Sequence, residues 1–275
     1  MSIELKVVRS FVVELDEMSG LAVREGDEGP EVLAIGDSSY NLAIAPVARP
    51  DAKKLGKPYA KLGKLLGEKG ASQWEAVTTD GAGNVYILEE TPGGVLGFPQ
   101  SLDSFLGRID LEVDDDSLVP GWGKQKNSRG EGLILLENGR ILVAKEKGPP
   151  MLVEFAPQGA EAAGVSADLL NPKVFSFHAG TTFYACASWS LEGVVEDVSD
   201  ISSTRDGRLF AISDKSREIL RIDLPLVPGE PLRVVDRRLL PSVVNKAEGL
   251  IILPDGRAVV GSDEAQGEEN LFIVE

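Results

Sequence analysis

The chain has 275 residues, 43% of them hydrophobic, with 44 acidic and 28 basic residues and a formal charge of −16. This balance argues against a nucleic-acid partner, because phosphate binding needs clustered Lys and Arg, while the hydrophobic share supports a sizeable core. A single cysteine, Cys186, excludes an intramolecular disulfide framework.

The run from Met1 to Lys6 alternates polar and apolar residues and has no long apolar stretch. Neither a signal peptide nor a membrane span is expected, and the expected location is the cytoplasm. Ile3–Leu15 reads as extended structure. A motif then recurs five times, running from an acid or Ser through a short apolar strand to a Gly turn, then through a second apolar strand to another acid. The copies begin at Ser19, Glu75, Glu131, Ser199 and Glu248 and close on Asp37, Glu90, Glu146, Asp214 and Asp263. Repeats of this length mark propellers or solenoids.

The first copy carries a longer loop around Gly26–Pro30, and after it come Lys53, Lys54, Lys57, Lys61, Lys64 and Lys69, a run that could grip an anion but more often marks an exposed edge strand guarded against aggregation. The second turns at Ala82-Gly83, the third at Asn138-Gly139, the fourth at Asp206-Gly207 and the fifth at Asp255-Gly256. Read as two-residue hairpin turns, these place Glu75 opposite Glu90, Glu131 opposite Glu146, Ser199 opposite Asp214 and Glu248 opposite Asp263. Extrapolation pairs Ser19 with Asp37.

The third copy reads as strands Gly132–Leu136, Arg140–Lys145 and Met151–Ala156, with an outer strand near Lys173–Ser176. The fourth reads as Ile201–Thr204, Arg208–Ser213, Glu218–Asp223 and Leu232–Asp236. Four antiparallel strands per unit is a propeller blade. The fifth copy has three strands, so Ile3–Leu15 is expected to supply its fourth and close the ring. The expected fold is all-β, a single β-propeller domain over residues 1–275, with five four-stranded blades. Six is the alternative, with a hidden repeat in Gly159–Val194. That stretch, rich in Phe175, Phe177, His178, Phe183, Tyr184 and Trp189, reads as an outer strand with a packed crossover or as an aromatic flap.

Met18-Ser19-Gly20-Leu21 with Ile35-Gly36-Asp37-Ser38-Ser39 resembles the opening of the SdiA-regulated (YjiK/CarP-like) β-propellers. Asp197-Val198-Ser199-Asp200-Ile201 with Ile212-Ser213-Asp214-Lys215-Ser216-Arg217, and Ala247-Glu248-Gly249-Leu250, extend the resemblance across the chain. It implies a calcium-linked, phytase-like propeller. More distantly the repeats resemble esterase-like phytase and gluconolactonase-like propellers; the latter hold a divalent metal with a Glu-Gly opening an inner strand, matched by Glu131-Gly132 or Glu248-Gly249. Members of the first family are often exported or anchored, from which the start of this chain departs.

Directly opposed like charges weaken a sheet. Such a rim needs a cation, basic neighbours, solvent exposure or raised pKa values. With all hairpin mouths facing one way, the acids gather at one end of the channel, and hard cations such as calcium take six to eight oxygens. The expected ligands are Glu75, Glu131 and Glu248, with Asp37, Glu90, Glu146, Asp214 and Asp263 as an adjacent tier. Arg129 and Lys246 are the expected contacts to a small anionic substrate, while Lys147 and Lys215 also neighbour acids. Two functions follow. One is a divalent-cation-binding propeller with metal-assisted hydrolase activity toward a small anionic phosphoester or lactone. The other is a non-catalytic scaffold that binds a protein or ligand on one face. No membrane partner is expected. His178 is the lone histidine and no Gly-x-Ser-x-Gly elbow occurs, so a His-based triad is disfavoured. Asp114-Asp115-Asp116 lacks EF-hand spacing. Trp74 and Trp122 either line the mouth or pack between blades.

Overall fold

Five hairpins set the architecture, and their turns explain its register. In the third, Leu136 N–H bonds to the Arg140 carbonyl at 2.9 Å, and Gly139 N–H bonds to the Leu136 carbonyl at 2.9 Å. Gly139 sits at φ 79. This is a three-residue loop, a type I turn followed by a left-handed Gly. Matching bonds recur at Gly83, Gly207 and Gly256. The expected two-residue turns are therefore corrected: each loop holds one more residue, and each pairing moves by one.

The computed structural model describes residues 3–26, 29–47, 58–124, 129–264 and 267–275. Its strands form four sheets rather than five separate ones. The first is Met18–Gly26, Gly29–Gly36, Ser39–Pro46 and Pro58–Lys61. Gly26 pairs with Gly29, so these strands run on where a longer loop was expected. Residues 27 and 28 lie outside the described residues, as do Lys53, Lys54 and Lys57.

The largest sheet has eight strands. One half is Trp74–Thr79, Val85–Glu89, Gly94–Phe98 and Gly107–Glu112. The other is Gly130–Leu135, Ile141–Lys145, Met151–Pro157 and Thr181–Ser190. The halves join because Gly107–Glu112 pairs parallel with Thr181–Ser190. That edge-to-edge union is what reduces the sheet count. The outer strand of the second half is Thr181–Ser190, not Lys173–Ser176 as expected.

Asp200–Ser203, Leu209–Ser213, Glu218–Ile222 and Val234–Leu239 form the next sheet, whose edge also takes Ile3–Glu4. In the last, Ala247–Ile252, Ala258–Ser262 and Leu271–Val274 are completed by Val7–Phe11. The N-terminal strand thus supplies the fourth strand there, as expected.

The strands that open the hairpins, starting at Met18, Trp74, Gly130, Asp200 and Ala247, touch one another in a closed circuit. Small residues permit that approach: a Cβ on Gly132 would lie 2.7 Å from Ile201 N. Both faces of the inner strands are buried, as in Ile141–Lys145 and Leu209–Ser213, which is why these read as continuous apolar runs, whereas the outer Thr181–Ser190 alternates. Ile134, Leu142 and Leu152 pack toward the Asp200–Leu239 sheet, while Leu133, Val143 and Val153 pack toward the Trp74–Glu112 strands. Each such side chain stabilises the fold by about 1.5–3 kcal/mol. The aromatic stretch belongs to this core: Phe175, Phe183 and Trp189 are buried. His178 is exposed. Trp74 packs edge-on against Tyr40 at 5.3 Å, and Trp122 against Phe155 at 5.3 Å.

Candidate functional site

The registers slip by one residue between Met18 and Gly20, Trp74 and Ala76, Gly130 and Gly132, and Ala247 and Gly249. The extra residue in each bulge is Ser19, Glu75, Glu131 or Glu248. The expected cross-strand pairs are therefore corrected: these residues stand opposite no single partner. A bulge re-aims its side chain, and bulges cluster at the rims of barrels and beside active sites. The fourth copy differs. Asp200 pairs with Ile212 without a slip, and Ser199 N–H bonds to the Ile212 carbonyl at 2.9 Å.

Three bulges are preceded by a non-Gly residue in the left-handed region: Glu17 at φ 51, Gln73 at φ 56 and Lys246 at φ 43. This conformation is uncommon outside Gly and marks overdetermined backbone. Asp37, Glu90, Glu146, Asp214 and Asp263 each follow the last residue of a second strand. Their groups tie to entering segments: the Asp37 carbonyl accepts from Gln73 N–H at 2.9 Å, and Asp214 Oδ1 accepts from Ala247 N–H at 3.0 Å.

The eight acids do share one electrostatic neighbourhood. Glu131 is only 6% exposed. Burial, then Glu75, Glu146, Glu248 and Glu90, raise its pKa well above the usual carboxylate value. Burial, then Asp214, Glu146 and Glu75, do the same for Glu248. Glu75 is pushed up to about 7, mostly by burial and then by Asp37 and Glu90, and it hydrogen-bonds Glu131. Two carboxylates can bond only if one carries a proton. Burial, Glu17 and Asp263 push Asp37 up to about 6. Its Oδ1 is buried with no hydrogen-bond partner among the described residues.

The basic neighbours serve the outer tier. Lys147 Nζ lies 2.6 Å from Glu146 Oε2, and Lys246 Nζ lies 2.9 Å from Asp263 Oδ2. Arg129 Nη1 donates to the Glu90 carbonyl at 3.0 Å. Lys215 is exposed, and its backbone N–H bonds Asp197 Oδ1 at 3.2 Å. Lys145 is fully buried. Its Nζ donates to the Pro149 carbonyl at 3.0 Å and to the Lys147 carbonyl, and burial lowers its pKa to about 8. Glu75, Glu131 and Glu248 form no ion pair among the described residues. Their hard oxygen donors suit a hard divalent cation, yet no three acids among the described residues stand at metal-ligating spacing. An ion would have to draw them inward.

A cleft of ≈ 800 Å³ opens beside this mouth, lined by Glu14, Asp16, Glu17, Asn41, Lys246 and Asp263 among others. Gln73 and Glu17 were missed from sequence because no residue pattern signals a left-handed Gln or Glu.

No family model matches the chain, and no curated protein matches its sequence. Solved structures do match. A glutaminyl cyclase from Myxococcus xanthus aligns with a TM-score of 0.59 at 15% identity, over 100% of this chain and 98% of that one. A glucose dehydrogenase-type oxidoreductase from Thermus thermophilus aligns at 0.50 and 12% identity, over 98% and 100%. The PQQ-bound aldose sugar dehydrogenase of Streptomyces coelicolor aligns at 0.50 and 13%, over 99% and 98%. These matches carry the fold alone, and they place the chain among β-propeller-like all-β proteins.

Proposed function

We propose that the chain is a five-bladed β-propeller of the SdiA-regulated type whose carboxylate mouth binds a divalent cation, calcium in the first instance. On this reading the eight-stranded sheet is two four-stranded blades that share an outer edge. The closed circuit of five hairpin-opening strands supports that count. One observation carries the cation: Glu75, Glu131 and Glu248, re-aimed by three separate bulges, are mutually repelling and form no ion pair among the described residues. A cation offsets that repulsion, and six to eight oxygens suit calcium.

A bound ion of this kind polarises a phosphoryl or acyl oxygen. Arg129 and Lys246 stand at the rim, where they would orient a small anionic ester. A rim carboxylate that the ion does not take up would serve as general base. The scaffold reading keeps one observation in its favour, the lack of ligating spacing among the described acids.

Thermal melting with calcium, magnesium and manganese tests the cation. A ligand specific to the native state raises Tm by mass action, about 2.7 kcal/mol at a hundredfold excess over Kd. A rise in the wild type that vanishes in Glu131→Gln/Glu248→Gln supports the reading. A flat response to all three ions leaves the scaffold.

A further inference from the structure

At the turn end of the Asp200–Leu239 sheet, away from the acids, lies a pocket of opposite character. Register places Arg221 between Phe210 and Asp236, and Arg238 opposite Ile219. Alternation puts Arg208 on the face of Phe210. The pocket encloses ≈ 30 Å³ where this face meets Ala258 and Val274 of the next sheet, and Arg208, Arg221, Arg238 and Asp236 line it.

Two of the three arginines are matched. Arg238 Nε donates to Asp236 Oδ2 at 3.1 Å. Arg208 pairs with Asp206, Nε to Oδ1 at 3.1 Å and Nη2 to Oδ2 at 2.9 Å. Arg221 is the exception. It is half-buried, its Nε is buried without a hydrogen-bond partner, and no ion pair holds it among the described residues. A chain of charge −16 thus brings three guanidinium groups to the lining of a part-apolar cavity, with Asp236 in that lining and Asp206 paired to Arg208 beside it.

A buried, unmatched donor calls for an acceptor. Water could accept from Nε but would bring no negative charge to a lining of three guanidinium groups and one carboxylate. A planar guanidinium fork fits a carboxylate or phosphate through two parallel bonds. A cavity needs roughly 10–15 Å³ of this kind of space to hold one water. The pocket therefore takes the oxygens of a small group and excludes a ring, while the rest of a larger ligand stays outside.

We propose that this pocket is a small-oxyanion site, for a carboxylate or single phosphate group, with Arg221 as its principal contact and Arg208 and Arg238 as flanking charges. It does not depend on the cation reading, since none of its residues belongs to the mouth.

The test is titration calorimetry on protein stripped over a chelating resin, at fixed ionic strength, with inorganic phosphate, acetate and chloride in separate arms. Saturable binding of phosphate or acetate is expected, at least tenfold tighter than chloride. Arg221→Gln should weaken it by tenfold or more, and Arg221→Lys by less. The Glu131→Gln/Glu248→Gln variant should bind as the wild type does, which separates this site from the mouth. Equal responses to all three anions, or an unchanged affinity in Arg221→Gln, would overturn the proposal. If Arg221→Gln does not fold, phosphorus NMR on the wild type decides: phosphate lines that fail to broaden, or that chloride sharpens as readily as acetate does, overturn it too.

Discussion

Two buried glutamates show how differently this fold treats a carboxylate. Glu154 has no exposed surface, and its oxygens are met by Arg140, by Gly164 N–H at 2.9 Å and by Ala163 N–H at 3.3 Å. Glu131 is nearly as buried, but its surroundings are other acids. Asp200 sides with Glu154: it accepts from Ile201 and Leu250 N–H groups at 2.7 and 2.8 Å and so links two sheets. Burial alone does not mark a functional carboxylate here. What separates the two classes is the partner inventory: Glu154 and Asp200 are answered by donors and hold the fold, whereas Glu131 is surrounded by its own kind, the arrangement on which the proposed cation site rests.

The comparison is broken most severely at Glu154. Replacing it with Ala leaves Arg140 without its partner and should cost about 3–5 kcal/mol, read from urea denaturation. A cost under about 1 kcal/mol would put Glu154 in the same class as the mouth. Next in size is the pH response of the metal-free protein. Glu75 and Asp37 have folded-state pKa values near 7 and 6, above their ordinary 4.5 and 3.8. The folded state therefore holds extra protons between those limits. The contribution of these two groups should be fullest below about pH 4 and should fall as pH rises through 7, by roughly 2 kcal/mol from Glu75 after allowance for its partial exposure. Melting temperatures measured from pH 4 to 8 check this, and Glu75→Gln should flatten the curve. A melting temperature that rises over this window would reverse the assignment. The smallest effect has the opposite sign to the first. Glu131→Gln removes repulsion and should stabilise the metal-free protein at pH 8 by about 1 kcal/mol. Chemical denaturation at low ionic strength reads it, and destabilisation there would mean that Glu131 is structural.

Much of this was legible before any coordinates. The Gly turns and flanking apolar runs locate all five hairpins, and the three-strand fifth copy calls for Val7–Phe11. The gathering of acids followed from their shared place at strand mouths. The registers were misread because Asn138-Gly139 can sit in a two-residue or a three-residue loop, and only the carbonyl geometry distinguishes them. The bulges at Glu75, Glu131 and Glu248 were invisible for the same reason: a bulge is a miscount between two strands, not a residue type. Parallel union of Gly107–Glu112 with Thr181–Ser190 depends on distant edges meeting, and no local pattern encodes it. Glu154 reads as an ordinary strand residue, because the backbone at Ala163 and Gly164 that answers it lies in a different segment.

The pairing of Val7–Phe11 with Leu271–Val274 also sets an order of events. During synthesis the earlier strand leaves the ribosome long before its partner exists, so it must wait as an unmatched, partly apolar segment while the other sheets form. Closure of the circle is then a late, long-range step, slow for reasons of loop entropy. The nascent protein spends that interval open, which makes this seam the place where a chaperone, or a swapped strand from a neighbouring copy, would find its opportunity.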